Sequence, residues 1–307
     1  MTASACKPIA EPDQGDERLQ IVTSFYVLYD FASRIGGDHV VVTNLVPPGA
    51  EPHHWEPDAS DLVRLEKADL LIFNGAGMEH WVEKVTSSLT NKDLVMVETT
   101  KGLSLLAAGH SYDHDDDALE EENHDEEEDE EMTGQFDPHV WLDPVKARHQ
   151  LNMIRDALIA ARPEYAADFR AAADLAAAEL TALDDAYREA LRDLTRREII
   201  VAHEAFAYLT EAYGLQQIGI EGLASETEPD PARMAEIITF AQEHDVKVIF
   251  FEELASPKVA ETIAREIGAR TAVLNPLEGL TAEQISAGED YFSIMRQNLE
   301  ALVGALS

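Results

Sequence analysis

The N-terminal third of the chain alternates between short apolar runs and segments in which apolar residues recur every three or four positions. The apolar runs are typical of buried strands, and the amphipathic segments are typical of helices packed on one face. Strands that alternate with helices at this spacing indicate a parallel sheet covered by helices. The predicted strands are residues 19–25, 39–45, 69–73 and 94–98, and the predicted helices are 26–35, 61–68 and 78–87.

Two helical segments are predicted in the middle of the chain. The first covers residues 145–161. The second begins at Pro163, a residue suited to the first turn of a helix, and runs to about Arg197 without another glycine or proline. At ~1.5 Å per residue it would be roughly 50 Å long, more than one compact domain needs. We therefore interpret residues 163–197 as a strut between two lobes.

The C-terminal third repeats the pattern of the first. Asp230 and Ser256 each precede a proline and can cap a helix, and Thr281-Ala-Glu-Gln284 resembles a capping box. Strands are predicted at 198–202, 216–221, 247–251 and 270–274, and helices at 204–213, 230–243, 256–267 and 289–306. We therefore expect an α/β protein with two similar lobes, each with a four-stranded parallel sheet, joined by one long rigid helix. The predicted division is a tether at 1–18, an N-terminal lobe at 19–162, the linking helix at 163–197 and a C-terminal lobe at 198–307.

The charge of the chain limits its partners. There are 60 acidic residues against 23 lysines and arginines, a net charge of −37. Such a surface repels nucleic acid and attracts cations, so we expect no nucleic-acid partner. The acids are densest in the loop 106–135, which has almost nothing apolar to bury. This loop is expected to be disordered unless a cation neutralises it.

The only cysteine, Cys6, excludes a disulfide framework and a thiolate metal site. It follows Ala3-Ser4-Ala5, small residues like those before the lipidated cysteine of a bacterial lipoprotein signal, although the preceding apolar stretch is missing. Lipidation would make residues 1–18 a membrane tether. A stray cysteine in a disordered tail is the alternative. No later segment contains about 18 continuous apolar residues, so no membrane-spanning helix is expected.

Polar residues after the predicted strands supply candidate metal ligands, because ligands of open α/β sheets bind beyond the carboxyl ends of the strands. His53 and His54 follow the second strand, His203 follows the first strand of the C-terminal lobe, and Glu278 follows its last strand. His139 lies between prolines that hold its flanks in non-helical backbone. A turn whose histidine bonds its own backbone is the alternative there. Imidazoles with one carboxylate suit Zn²⁺ best, and Mn²⁺, Fe²⁺ or Cu²⁺ less well.

Four motifs together resemble the solute-binding proteins of metal ABC transporters, most closely their zinc-uptake branch. The motifs are Glu51-Pro-His-His-Trp-Glu-Pro57, Asp137-Pro-His-Val-Trp-Leu-Asp-Pro144, His203-Glu-Ala-Phe-Ala-Tyr-Leu209 and Glu252-Glu-Leu-Ala-Ser-Pro-Lys258. Their order matches that of the family, and the similarity extends from about Leu19 to Leu306. The resemblance implies two α/β lobes joined by a single rigid helix, with the metal in the cleft between them.

The resemblance also implies a set of metal ligands. The three histidines that match the family's ligands by position are His53, His139 and His203. His54 falls where many relatives have another polar residue and is expected to be a neighbour only. Many relatives have an aspartate where this chain has Asn275, whose neutral amide is a poor ligand. Another zinc-binding branch resembles Asn-Pro-Leu-Glu and would use Glu278. Glu278 is therefore the preferred fourth ligand, and water is the alternative.

The acidic loop also resembles a family feature, since zinc-branch members often have a mobile, histidine-rich charged loop before the second ligand. Here the acids are interspersed with only three histidines, which we predict as an auxiliary, weak metal site: His110, His114 and His124. A solvated loop without a function is the alternative.

The resemblance implies an extracytoplasmic receptor that captures Zn²⁺ and delivers it to the membrane permease of an ABC transporter. It would act as a monomer, anchored through Cys6 to the outer face of the bacterial cytoplasmic membrane, or be periplasmic. A manganese receptor of the same family is one alternative. A zinc hydrolase with Glu56 or Glu204 as general base is another, although no HExxH helix is present. Nothing in the sequence independently supports a third alternative, a surface adhesin.

Overall fold

The computed structural model describes residues 18–108, 136–222, 231–254 and 256–307. The N-terminal lobe contains a parallel four-stranded sheet in the order β2-β1-β3-β4, so the chain crosses over between its second and third strands. The central pair is in register from Ile21 opposite Leu70 to Thr23 opposite Ile72. The strands are β1 (Leu19–Thr23), β2 (Val40–Asn44), β3 (Leu70–Phe73) and β4 (Val95–Glu98).

Helices cover this sheet close to the places where the apolar periodicity predicted them, and the second helix lies two to three residues earlier than expected. The third helix begins at Val82 instead of Met78, because the backbone turns at residues 75–77, all with positive φ. The Glu79 carboxylate accepts the backbone N–H of Asn74 and of Gly75 at 2.8 and 3.0 Å, which stabilises that turn. The helices of this lobe are α1 (Tyr26–Gly36), α2 (Ala59–Leu65), α3 (Val82–Ser88) and α4 (Pro144–Ala161).

The predicted linking helix is present but shorter than expected. Residues 163–165 form a single 3₁₀ turn, and α5 then runs over Ala166–Leu191. Its 26 residues span roughly 39 Å at ~1.5 Å per residue. The Arg197 side chain ends the helix by donating to the carbonyl oxygens of Leu191 and Arg192 at 2.8 and 2.7 Å. Helix α5 packs against α1 and α4, and also against the last helix of the chain, so it contacts both lobes.

The C-terminal lobe repeats the parallel sheet with the order β6-β5-β7-β8. In both described sheets the first and third strands are central, and the second and fourth strands form the edges. The strands are β5 (Glu198–Val201), β6 (Gln216–Gly219), β7 (Val248–Phe251) and β8 (Arg270–Val273). The helices are α6 (Ala207–Tyr213), α7 (Pro231–Glu243), α8 (Lys258–Ile267), α9 (Ala282–Ala287) and α10 (Tyr291–Leu306).

One hydrophobic core extends through both lobes. It includes Phe25 and Trp141 of the N-terminal lobe, Tyr187 of α5, and Phe206 and Tyr291 of the C-terminal lobe, all at most 1% exposed. Two smaller apolar clusters are separate from it, one in each lobe. A continuous apolar core opposes free rotation of one lobe against the other, since inter-domain motion is expected where the interface is small and polar.

The ends of the acidic loop meet at the surface of the N-terminal lobe. Ala107 and Phe136 form an isolated antiparallel bridge, and the Asp137 N–H donates to the Leu106 carbonyl at 2.9 Å. Cys6 and the predicted auxiliary histidines lie outside the described residues. Among the helices of the described residues, none combines the length and apolarity needed to cross a bilayer.

Candidate metal centre

Four side chains from separate parts of the chain converge between the lobes. Each of His53, His139, His203 and Glu278 offers one ligand atom, and the four atoms lie within 4.8 Å of one another. His53 Nε2 and His139 Nε2 are 3.2 Å apart, and Glu278 Oε1 lies 3.1 and 2.9 Å from them. Ligand atoms about 2.0 Å from a tetrahedral zinc ion are separated by about 3.3 Å, close to these distances.

The first histidine lies in the loop between β2 and α2. The Glu51 carboxylate accepts the backbone N–H of His53 at 2.7 Å, which orders the loop locally. His54 is exposed, and its Nδ1 lies 3.2 Å from the other oxygen of Glu51. The side chain of His54 is therefore outside the convergent group, as the sequence predicted for a neighbour.

The second histidine is held by its own turn. Asp137 Oδ1 accepts the backbone N–H of His139 at 2.9 Å and lies 2.8 Å from its Nδ1, so one carboxylate contacts both groups. This contact directs Nε2 of the fully buried ring towards Glu278. Asn74 donates to the Pro138 carbonyl at 2.9 Å and so ties the turn to the end of β3. His139 therefore bonds the Asp137 side chain of its own turn and also belongs to the convergent group.

Glu278, and not Asn275, joins the histidines in the convergent group, and the side chain of Asn275 instead bonds within the turn. The Asn275 side-chain oxygen accepts the N–H of Leu277 at 2.7 Å, and Leu277 has the left-handed φ of 60°. The side-chain amide of Asn298 holds the backbone of Asn275 at both groups, since its oxygen accepts the Asn275 N–H and its nitrogen donates to the Asn275 carbonyl. The turn therefore directs the 3% exposed Glu278 side chain to the histidines and keeps Asn275 away from them.

The loops that contain His139 and Glu278 are joined across the lobes. The indole N–H of Trp141 donates to the Pro276 carbonyl at 2.7 Å, and the Tyr291 hydroxyl donates to the Trp141 carbonyl at 2.7 Å. Each of these side chains is fully buried. Because aromatic groups of both lobes fix the two turns to each other, the separation of the two side chains is set by tertiary packing and not by either loop alone.

The charges in the group oppose its burial. Burial alone would raise the pKa of the Glu278 carboxyl, but the charges of His53 and His203 and hydrogen bonds from His139 and His53 hold that pKa well below its usual range. Burial likewise lowers the pKa of His139, but the Asp137 and Glu278 carboxylates outweigh it and raise the net value. The raised pKa favours a proton on the His139 ring, and a metal ion has to displace that proton in order to bind His139.

The side chains considered as general bases for a hydrolase lie outside this group. Glu56 is exposed, and its Oε1 lies 3.7 Å from His80 Nε2. The side chain of Glu204 packs so closely against Gly219 that a Cβ atom on Gly219 would lie 2.0 Å from Glu204 Cγ. Burial raises the pKa of the Glu204 carboxyl. A cavity of about 1210 Å³ beside the site is lined by His53, His54, Glu56 and other residues.

Two carboxylates that contact the histidines were not singled out from the sequence. Asp137 stands two residues before His139 in a proline-bounded turn, a spacing that suits a local hydrogen bond. Glu252 directly follows β7, so the rule that directs attention to strand ends would have identified it. Its Oε1 lies 2.7 Å from Nδ1 of His203.

Comparisons with known proteins cover both lobes. Residues 21–305 match the family described as zinc-uptake complex component A, periplasmic (ZnuA). The chain is 40% identical over 294 residues to the high-affinity zinc uptake system protein ZnuA of Bacillus subtilis strain 168, a match that covers 96% of this chain and 89% of that protein. It is 39% identical over 289 residues to the zinc-binding lipoprotein AdcA of Streptococcus pneumoniae serotype 4, covering 94% of this chain. The match covers 56% of AdcA, so this chain spans little more than half the length of that relative.

A solved structure shares the arrangement of the lobes. The crystal structure of the Zn(II)-bound ZnuA-like domain of Streptococcus pneumoniae AdcA superimposes with a TM-score of 0.78 and 36% sequence identity. The superposition covers 94% of this chain and 99% of that domain. Sequence family, identity to named relatives and fold all agree across nearly the full length, and the chain belongs to the ZnuA family of periplasmic zinc-uptake components.

Proposed function

We propose that this protein is an extracytoplasmic receptor that binds Zn²⁺ through His53, His139, His203 and Glu278 and delivers it to the permease of an ABC transporter. The observation that supports this most directly is the convergence of three imidazoles and one carboxylate. Within this group, His53, His139 and Glu278 lie at separations close to those of tetrahedral zinc ligands. The match to the ZnuA family supports the transport role.

The donor set favours zinc over manganese as the cargo. Three nitrogen donors and a single carboxylate suit Zn²⁺, whereas Mn²⁺ prefers oxygen ligands and a higher coordination number. A related domain of AdcA has been solved in a Zn(II)-bound form. Four protein ligands complete a tetrahedral sphere and leave no coordination position for a substrate, so this set favours binding and release over hydrolysis.

Membrane attachment through Cys6 is part of the proposal. The supporting observations are the small residues before Cys6 and the name of the Streptococcus pneumoniae relative, which calls that protein a lipoprotein. A tether of this kind would keep the receptor near its permease. The receptor is expected to act as a monomer, since its cargo fits a site formed within one chain.

Competitive titration of metal-free protein with Zn²⁺ and Mn²⁺, followed by counting of bound metal, tests the function. We expect one tightly bound zinc per chain and much weaker binding of manganese. Preference for manganese would assign the protein to the manganese branch. Turnover of ester or peptide substrates by the zinc-loaded protein would support the hydrolase interpretation, and absence of tight zinc would refute both.

Deletion of Ser111–Glu131 should leave the tight zinc site unchanged. The reason is that Ala107 and Phe136 already join the two ends of the loop, and the four converging side chains lie outside it. The deletion removes His114, His124 and the acids of the loop, so it should abolish the weaker additional zinc binding that we assign to the auxiliary site. Equilibrium titration monitored over a wide range of zinc concentrations measures both phases.

A variant with the same segment replaced by a glycine-serine linker of equal length controls for loop length. Loss of the tight site in both variants would make the loop structural. Retention of the weak phase in both would show that the acidic loop captures no zinc.

A further inference from the structure

Glu252 is a buried carboxylate outside the four converging side chains. It is 6% exposed and lies at the carboxyl end of β7, beside the end of β5 that leads to His203. In the described part of the chain, no lysine or arginine forms an ion pair with it. Its ionic partner there is His203, at 2.7 Å between Oε1 and Nδ1. Burying a carboxylate costs free energy unless the charge is paired, so we expect the contact with His203 to have a function as well as a packing role.

The contact is short. Oε1 and Nδ1 lie 2.7 Å apart, a separation at which a hydrogen bond can form. The same Nδ1 lies 3.7 Å from Glu278 Oε1. Nδ1 of His203 therefore lies near the carboxylates of both Glu252 and Glu278. The orientation of the ring determines which of its nitrogens faces His53, His139 and Glu278.

Each lobe places a carboxylate beside Nδ1 of a histidine. In the N-terminal lobe, Asp137 contacts Nδ1 of His139 and Nε2 faces Glu278. In the C-terminal lobe, Glu252 contacts Nδ1 of His203. A carboxylate behind a metal-binding imidazole fixes its tautomer and ring orientation and increases its basicity. Glu252 reaches His203 from the end of the neighbouring strand β7, whereas Asp137 belongs to the same turn as His139.

We propose that Glu252 is a positioning residue for zinc capture. Its carboxylate accepts the Nδ1–H of His203, which leaves Nε2 with the lone pair that binds the metal. The proposal rests on the proposed function, because it assigns His203 as a zinc ligand. It extends that function by adding a residue that acts on affinity through His203 and does not touch the metal.

The test compares Glu252→Gln and Glu252→Ala with wild type and with Glu253→Gln, the same substitution at the exposed neighbouring position. Zinc dissociation constants are measured by competition with a chromophoric chelator. Glutamine can still accept the N–H but has no charge, so we expect an increase of about tenfold. Alanine removes both the hydrogen-bond acceptor and the charge, and the increase in the dissociation constant should approach about 100-fold. All variants should still bind one zinc, and Glu253→Gln should match wild type.

Two further measurements separate positioning from a merely structural role. The visible spectrum of the Co²⁺-loaded protein should shift in Glu252→Gln, because the ligand field of His203 changes while the number of ligands does not. Thermal unfolding of the metal-free variants reports the structural contribution. A lower unfolding temperature with an unchanged zinc affinity and Co²⁺ spectrum would refute the proposal.

The outcomes also distinguish this inference from the proposed function. If wild-type protein binds no zinc tightly, the proposed function fails. If wild type binds zinc and Glu252→Gln binds it equally well, only the role of Glu252 is wrong. Loss of one bound metal per chain in Glu252→Gln would instead make Glu252 a ligand and would overturn its assignment as a positioning residue.

Discussion

Replacing His139 or His203 with alanine should raise the zinc dissociation constant by more than about 100-fold. Removal of a group that only orients a ligand costs about 10–100-fold, and loss of the ligand itself should exceed that. Both side chains are at most 2% exposed and face the other members of the group, so no solvent-exposed residue can readily replace them. Competition with a chromophoric chelator measures the change.

His54→Ala is the matched control, because His54 neighbours His53 in the chain but its side chain is exposed and outside the group. It should bind zinc like wild type. Thermal unfolding of the metal-free variants shows whether the buried cavity left by His139→Ala affects the fold. Wild-type affinity in both His139→Ala and His203→Ala would remove these residues from the site.

Glu278→Gln should also raise the zinc dissociation constant, by at least about tenfold. The substitution keeps the size of the side chain but removes the one charge among the four proposed ligands, which half-neutralises Zn²⁺. Glu283→Gln, an exposed site in the first turn of α9, is the control and should be neutral. If Glu278→Gln binds zinc like wild type, the fourth position belongs to water or another side chain, and the hydrolase interpretation regains support.

Asn275→Ala complements this comparison. From the sequence alone it would be expected to matter little, because a neutral amide is a poor ligand. The structure changes this expectation, since the Asn275 side chain accepts the N–H of the fully buried Leu277. Loss of that acceptor should lower the free energy of unfolding by about 1–3 kcal/mol, and denaturant titration measures it. The effect on zinc affinity should be smaller than that of Glu278→Gln and follow from a looser turn.

The starts and ends of helices show where local sequence is an incomplete guide. Apolar periodicity located α3 and α6, but the first turn of each predicted helix is replaced by irregular backbone. At α6 the N–H of Phe206 donates to the side chain of Gln217, eleven residues away, and not to a helical carbonyl. Such partners come from other elements, and a pattern of apolar positions contains no information about them.

The sequence by itself determined the two α/β halves and the long helix between them, and its resemblance to a known family predicted the residues proposed as ligands. Strand and helix periodicities are local, and residues at strand ends must meet at one edge of a parallel sheet. Only the tertiary structure decided that one apolar core joins the lobes, because a pattern shows which residues are buried but not against what. It also placed Glu278 instead of Asn275 beside the histidines, through the turn at Leu277, and brought Glu252 to His203. These contacts join residues far apart in the chain, and their geometry depends on how the two lobes pack together.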